Sequence, residues 1–162
     1  MSTFVVPELT NTDFTSDFDE LVRAYINTKY SLSDPPNDSN MDIKVGFFKY
    51  DRPYEITVLE TDTPPPDYSN GRRRAFLNTG IEVHIRMQRL DPADTQVSPQ
   101  LGNMERELQR ISMQYHNQDI PGIKDMYWDG GQRIYNATDT YAKSDWRSMI
   151  RYRLLYEKID IS

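Results

Sequence analysis

Between residues 17 and 30, Phe18, Leu21, Val22, Tyr25 and Ile26 recur at intervals of three and four, the spacing of one helical face. Asp17, with Glu20 three residues later, has the form of a capping arrangement and places acids at the positive end of the helix dipole. The run Asp34-Pro35-Pro36-Asn37-Asp38 breaks any helix before it. From Asp42 the period drops to two. Ile43, Val45 and Phe47 share one face, Asp51-Arg52-Pro53 reads as a turn, and Tyr54, Ile56 and Val58 form a second alternation, so two neighbouring strands are expected. Residues 61–74 hold Pro64, Pro65, Pro66, then Ser69-Asn70-Gly71 and Arg72-Arg73-Arg74, a long, polar, exposed loop.

The cleanest strand pattern follows, with Ile81, Val83, Ile85 and Met87 alternating with Glu82, His84, Arg86 and Gln88. After Leu90-Asp91-Pro92, Ser98 caps and Pro99 opens a second helix, whose apolar stripe is Leu101, Met104, Leu108, Ile111 and Tyr115. Glu105, Arg106, Gln109 and Arg110 make its solvated side. Ile123–Trp128 is expected to be extended, Asp129-Gly130-Gly131 to turn, and Gln132–Tyr135 to return as a short strand. In the last element Trp146, Ile150, Tyr152, Leu154 and Tyr156 share one face, while Arg147, Arg151 and Arg153 share the other.

This order predicts one α+β domain over residues 1–162. A mainly antiparallel sheet of four to five strands carries two amphipathic helices packed on one face. Residues 1–14 are expected to form a flexible or interface-forming arm.

Composition narrows the possibilities. The chain has 162 residues and no cysteine, which excludes disulfide staples, thiolate metal sites and a cysteine nucleophile. Its mean hydropathy is -0.76, and no apolar run reaches the roughly 18 residues a membrane span needs. The opening ten residues lack the basic and apolar blocks of a secretory signal, so an intracellular setting is expected. Residues 1–70 carry 13 acids and 5 bases, against 12 and 14 in residues 71–162. An acidic first half and a mildly basic second half attract each other, within one fold or between copies. A pI near 4.9 argues against a dedicated nucleic-acid binder.

The search for chemistry finds no phosphate-binding glycine loop and no ligand-spaced histidine pair, His84 and His116 being far apart. Asp125 with Asp129, or Asp17, Asp19 and Glu20, are carboxylate groupings that chance explains in a chain with 25 acids. Asn136-Ala137-Thr138 matches a glycosylation acceptor but lacks the secretory context. No catalytic set, cofactor or metal is therefore assigned, and the chain reads as non-enzymatic. The arginines remain. Arg147, Arg151 and Arg153, beside His84 and Arg86 if these strands pair, are either a solvated strand face bonded to cross-strand acids or a surface for an acidic partner or phosphate. The 11 tyrosines fit a protein interface.

The arrangement resembles the small neck and tail-completion proteins of tailed viruses and prophages, particularly the tail-terminator group. The resemblance lies in order and texture: the opening helix Phe18–Ile26, the strand pair with its Asp51-Arg52-Pro53 turn, and the long loop leading into Ile81–Arg86. It extends through Met104–Ile111 and the closing strand Trp146–Leu154. It implies a subunit, assembled in the host cytoplasm, that forms a homo-oligomeric ring, a hexamer, at the head-proximal end of the tail. That ring contacts the tail tube protein and the head connector, with DNA only passing through its lumen and no membrane involved. Subunit or partner contacts are expected at Pro64, Pro65, Pro66, Arg72, Arg73, Arg74, Arg86, Arg147, Arg151 and Arg153. The alternative is a monomeric adaptor, or a nucleic-acid-associated domain, using the arginine-bearing strand face.

Overall fold

A computed structural model describes residues 18–62, 67–69, 74–89, 98–134 and 145–159. The helices form where the apolar spacing places them: α1 spans Phe18–Lys29 and α2 spans Pro99–Met113. Ser98 is the N-cap of α2, its hydroxyl accepting from Gln100 N at 3.3 Å, and Pro99 occupies the first turn, where its missing N–H costs nothing. Asp17 and the 1–14 arm lie outside the described residues. Arg110 on α2 donates to the carbonyl of Lys29, the last residue of α1, at 3.0 Å. One guanidinium thus satisfies an orphan carbonyl and lies at the negative end of the α1 dipole.

The strands are β1 Met41–Val45, β2 Tyr54–Asp62, β3 Asp67–Ser69, β4 Arg74–Gln88, β5 Ile123–Arg133 and β6 Asp145–Ile159. They form one sheet in the order β1-β2-β4-β6-β5, with β3 paired to the start of β4. The α+β class, the mostly antiparallel sheet and the two helices on one face agree with the sequence reading. Ile56, Val58, Ile81, Val83, Ile85, Ile150, Tyr152 and Leu154 alternate onto the helix side and are at most 3% exposed, meeting Val22, Ile26, Leu101, Met104, Leu108 and Ile111. Each such aliphatic side chain contributes about 1.5–3 kcal/mol by leaving water. The tyrosines expected at an interface include Tyr25, Tyr30, Tyr115, Tyr152 and Tyr156, which are core residues. Burial is tolerated because hydroxyls find partners: Tyr30 donates to Pro35 O at 2.7 Å, Tyr115 to Ile123 O at 2.6 Å, and Tyr152 to Leu108 O. Burial also raises the Tyr152 phenol well above its ordinary pKa.

Four expectations are corrected. The first two strands are parallel, in register Ile43 with Ile56, rather than the antiparallel pair that a short connection favours. The strand alternation also stops at Val45, leaving Phe47 83% exposed in the returning loop. Residues 61–74 are not all loop, since β2 runs to Asp62, β3 lies within them and β4 opens at Arg74. Finally, Asp129-Gly130-Gly131 is no hairpin turn. β5 runs on through it as one strand along β6, with a bulge between Trp128 and Gly131.

Glycine within α2 supplies a test of local energetics. A Cβ on Gly102 would meet only the ends of flexible side chains, Arg106 Nη1 at 3.3 Å and Arg133 Nη2 at 3.6 Å. Gly102→Ala should therefore raise stability by about 0.5–1 kcal/mol by removing backbone freedom from the unfolded chain. Urea denaturation will show a higher midpoint at unchanged slope; a lower midpoint would mean that the arginines cannot give way.

Candidate interaction face

The sheet face turned away from the helices is built from the polar half of each alternation. Asp42 and Lys44 come from β1, Glu55 and Thr57 from β2, Glu82, His84 and Arg86 from β4, and Arg147, Met149, Arg151 and Arg153 from β6. The register sets Arg86 opposite Arg147, His84 opposite Met149 and Glu82 opposite Arg151. The expected pairing of the arginine strand with the His84–Arg86 strand is therefore present.

Glu55 organises this face and is wholly buried. Its Oε1 accepts from Lys44 Nζ at 2.6 Å and from the Lys49 amide at 2.8 Å, and its Oε2 accepts from Arg86 Nη1 at 2.8 Å and the Tyr50 amide at 3.1 Å. Burial alone would raise the Glu55 pKa; hydrogen bonds from Lys44 and the Lys49 and Tyr50 amides outweigh it and hold the carboxyl below its usual value. Lys44 is raised in turn, its burial being outweighed by the hydrogen bonds to Glu55 and Asp42.

These bonds explain the parallel β1–β2 pair. Parallel strands ordinarily need a crossover of about a dozen residues or more, yet residues 46–53 alone make the return here. Gly46, at φ +104°, opens the loop, Tyr50 takes a left-handed φ of +60°, and the Lys49 and Tyr50 amides point at Glu55. Arg52 Nη1 donates to Met41 O at 2.8 Å, and Arg86 Nη1 donates to Arg52 O at 2.9 Å, so the loop is strapped to β1 and to β4.

Tyr50 extends the network. The Arg86 guanidinium lies 4.5 Å from the centre of its ring, and Arg147 donates to its hydroxyl at 2.9 Å. Two arginines opposite each other across paired strands repel; Asp145 bridges them, its Oδ1 forming an ion pair with Arg86 Nη2 at 3.2 Å and its Oδ2 accepting from Arg147 Nη2 at 3.3 Å.

Among the residues singled out in the sequence, Arg86 and Arg147 are thus held inside a charge network, Arg153 Nε is 3.2 Å from Asp129 Oδ2, and Arg151 is exposed. Pro64, Pro65, Pro66, Arg72 and Arg73 lie outside the described residues, while Arg74 pairs with Ser69 and Ile159 in register. Gly80, opposite Arg153, leaves a depression of about 330 Å³ lined by Glu82, Arg151, Arg153 and Asp129. Its mixed signs suit no single ion. His84 bonds Glu82 at 3.0 Å and His116 is exposed. Asp125 and Asp129 do not form one site, since Asp125 stands opposite Leu155 while Asp129 serves Arg153.

Sequence reasoning missed Glu55, Asp145, Tyr50 and Glu107. Glu107 is buried on α2 and accepts from the Ser31 amide at 2.7 Å and from Arg110. Its burial would raise its pKa, but the Arg110 and Ser31 hydrogen bonds lower it. The signal available for Glu55 was its place in phase with polar Thr57 along β2, beside the buried Ile56. An acid trio also lay unnoticed: Asp42, Asp51 and Glu55 present oxygens within 4.8 Å of one another. Lys44 supplies the counter-charge, at 3.0 Å from Asp42 and 2.6 Å from Glu55. Compared with known proteins, the chain matches no protein-family model and no curated protein.

Proposed function

We propose that this protein is a non-enzymatic structural subunit of the head–tail neck of a tailed virus, a tail terminator whose copies close into a ring that caps the tail tube and joins the head connector. The observation that carries the reading is a sheet covered by two helices on one face, whose two outer strands, β1 and β5, differ in length, direction and surroundings. Ring closure from identical copies needs two unlike surfaces on each subunit. The element order on which the resemblance to tail terminators rests supports the same reading, with DNA crossing the lumen and no chemistry required. Among the described arginines of the strand face, the nucleic-acid alternative draws support from exposed Arg151, because Arg86, Arg147 and Arg153 each have a carboxylate partner.

The test is the solution mass of the full chain by light scattering over a concentration series, at low and high salt. The expected result is a discrete ring-sized multiple of 19.1 kDa, or a monomer that closes into one as concentration rises. A strict 19.1 kDa monomer under every condition overturns self-assembly, and strong, salt-dependent DNA retention by that monomer selects the alternative.

A further inference from the structure

Large apolar side chains that face water are not scattered over the described residues. Val45, Phe47 and Tyr50 lie on β1 and the loop after it; Tyr127, Trp128 and Ile134 lie on β5 and just past its end. Only Met113, at the end of α2, falls elsewhere among the exposed large hydrophobics described. In the strand order β1-β2-β4-β6-β5 these two groups occupy opposite edges of one sheet. Exposed strand edges flanked by apolar side chains are sites where chains join.

The two edges differ in shape. At the β1 edge Phe47 is a knob, 83% exposed, on a loop that Glu55, Arg52 and Arg86 hold in one conformation. An exposed aromatic on a rigid support loses little entropy on docking. At the β5 edge there is a hollow between α2 and β5. Two residues without side chains, Gly102 and Gly131, open it, Trp128 and Ile150 line it on the apolar side and Arg106 and Gln109 on the polar side, and its volume is about 250 Å³, ample for a phenyl ring. The charges also differ. Lys49 and Arg52 are exposed on the loop beside Asp51, whereas on β5 Asp125 is exposed, Asp129 is paired with Arg153 at 3.2 Å and Arg133 with Glu105 at 2.8 Å.

A knob at one edge and a hollow at the other cannot satisfy each other within one molecule, nor by twofold pairing of like edges. We infer that the β1 edge of one copy docks on the β5 edge of a second copy, with Phe47 seated in the α2–β5 hollow. The contact is head-to-tail and leaves each copy with one free edge of each kind, the condition for repetition into a ring. This rests on the ring reading above and names its interface.

Because the chain has no cysteine, cross-linking can test it on the full protein. Phe47→Cys and Gln109→Cys, the latter on α2 at the hollow, are purified separately and oxidised alone or mixed. Neither variant alone should give covalent dimers; the equimolar mixture should. Covalent dimers from Phe47→Cys alone would show a twofold contact and overturn the inference. An oligomer in light scattering with no mixed cross-link would overturn the inference and leave the ring reading standing; a monomer with no cross-link removes both. Mixed cross-links in open filaments of unlimited mass would uphold the interface and overturn ring closure. As an independent check, Phe47→Asp should weaken association at least about tenfold while leaving the urea midpoint unchanged, since the side chain is exposed in the free subunit.

Discussion

Glu55→Gln will lower folding stability by about 3–5 kcal/mol, the typical cost of removing one partner from a buried ionic network. The substitution preserves shape but removes the charge facing Lys44 and Arg86. It also turns one acceptor oxygen into an NH2 that confronts the donors at Lys44, Lys49, Tyr50 and Arg86. Urea denaturation followed by circular dichroism measures it, and a loss below about 1 kcal/mol would place the site among ordinary surface ion pairs.

The pH dependence separates the charge from the shape. The Glu55 carboxyl is held below its usual value in the folded chain, so its contribution is complete above the unfolded glutamate pKa of about 4.3 and is lost as pH falls through the lower folded value. The gap between wild type and Glu55→Gln should therefore be constant near neutrality and close in acid. Glu107 is shifted in the same direction and will soften the acid limb of both proteins alike, so only the difference between them reports Glu55. A gap that persists unchanged below pH about 3 would mean that shape rather than charge holds the loop.

Gly131→Ala will cost about 2–3 kcal/mol and Gly130→Ala about 1 kcal/mol, although the two residues are neighbours. A Cβ on Gly131 would stand 2.4 Å from Met149 O and 3.0 Å from Ile150 Cδ1. Met149 O is backbone of the paired strand, so relief requires β5 to part from β6. Gly130 has open space around the same position; its substitution meets only the strain of a φ of +89°. The ratio of the two effects tests the bulge. If Gly130→Ala proved the more costly, the continuous β5 strand would give way to the tight turn that the Gly-Gly pair first implies. Because Gly131 also opens the α2–β5 hollow, its variant should be measured for stability before any association experiment.

Wherever one side of an element faces the core, the amino-acid sequence determined its type and its face. The three-and-four spacing of Phe18–Ile26 and Leu101–Ile111, the Ser98-Pro99 start, and the alternation through Ile81–Met87 and Trp146–Tyr156 locate both helices and the two long central strands. They also put Arg86, Arg147, Arg151 and Arg153 on the uncovered face. Burial of alternate residues is a local property, and periodicity records it. Tertiary structure alone decided which strands meet and in which direction. The β1–β2 pair is parallel because a carboxylate supplied by β2 gathers the amides of the loop and the cations of β1 and β4. β5 continues through its glycines because β6 is there to pair with it. Whether Arg86 is a free surface charge or the centre of a buried network depends on Glu55 and Asp145, which lie 31 residues before it and 59 after it in the chain. A period of two says which way a side chain points, but nothing about what it will meet, because that partner arrives only when distant segments pack.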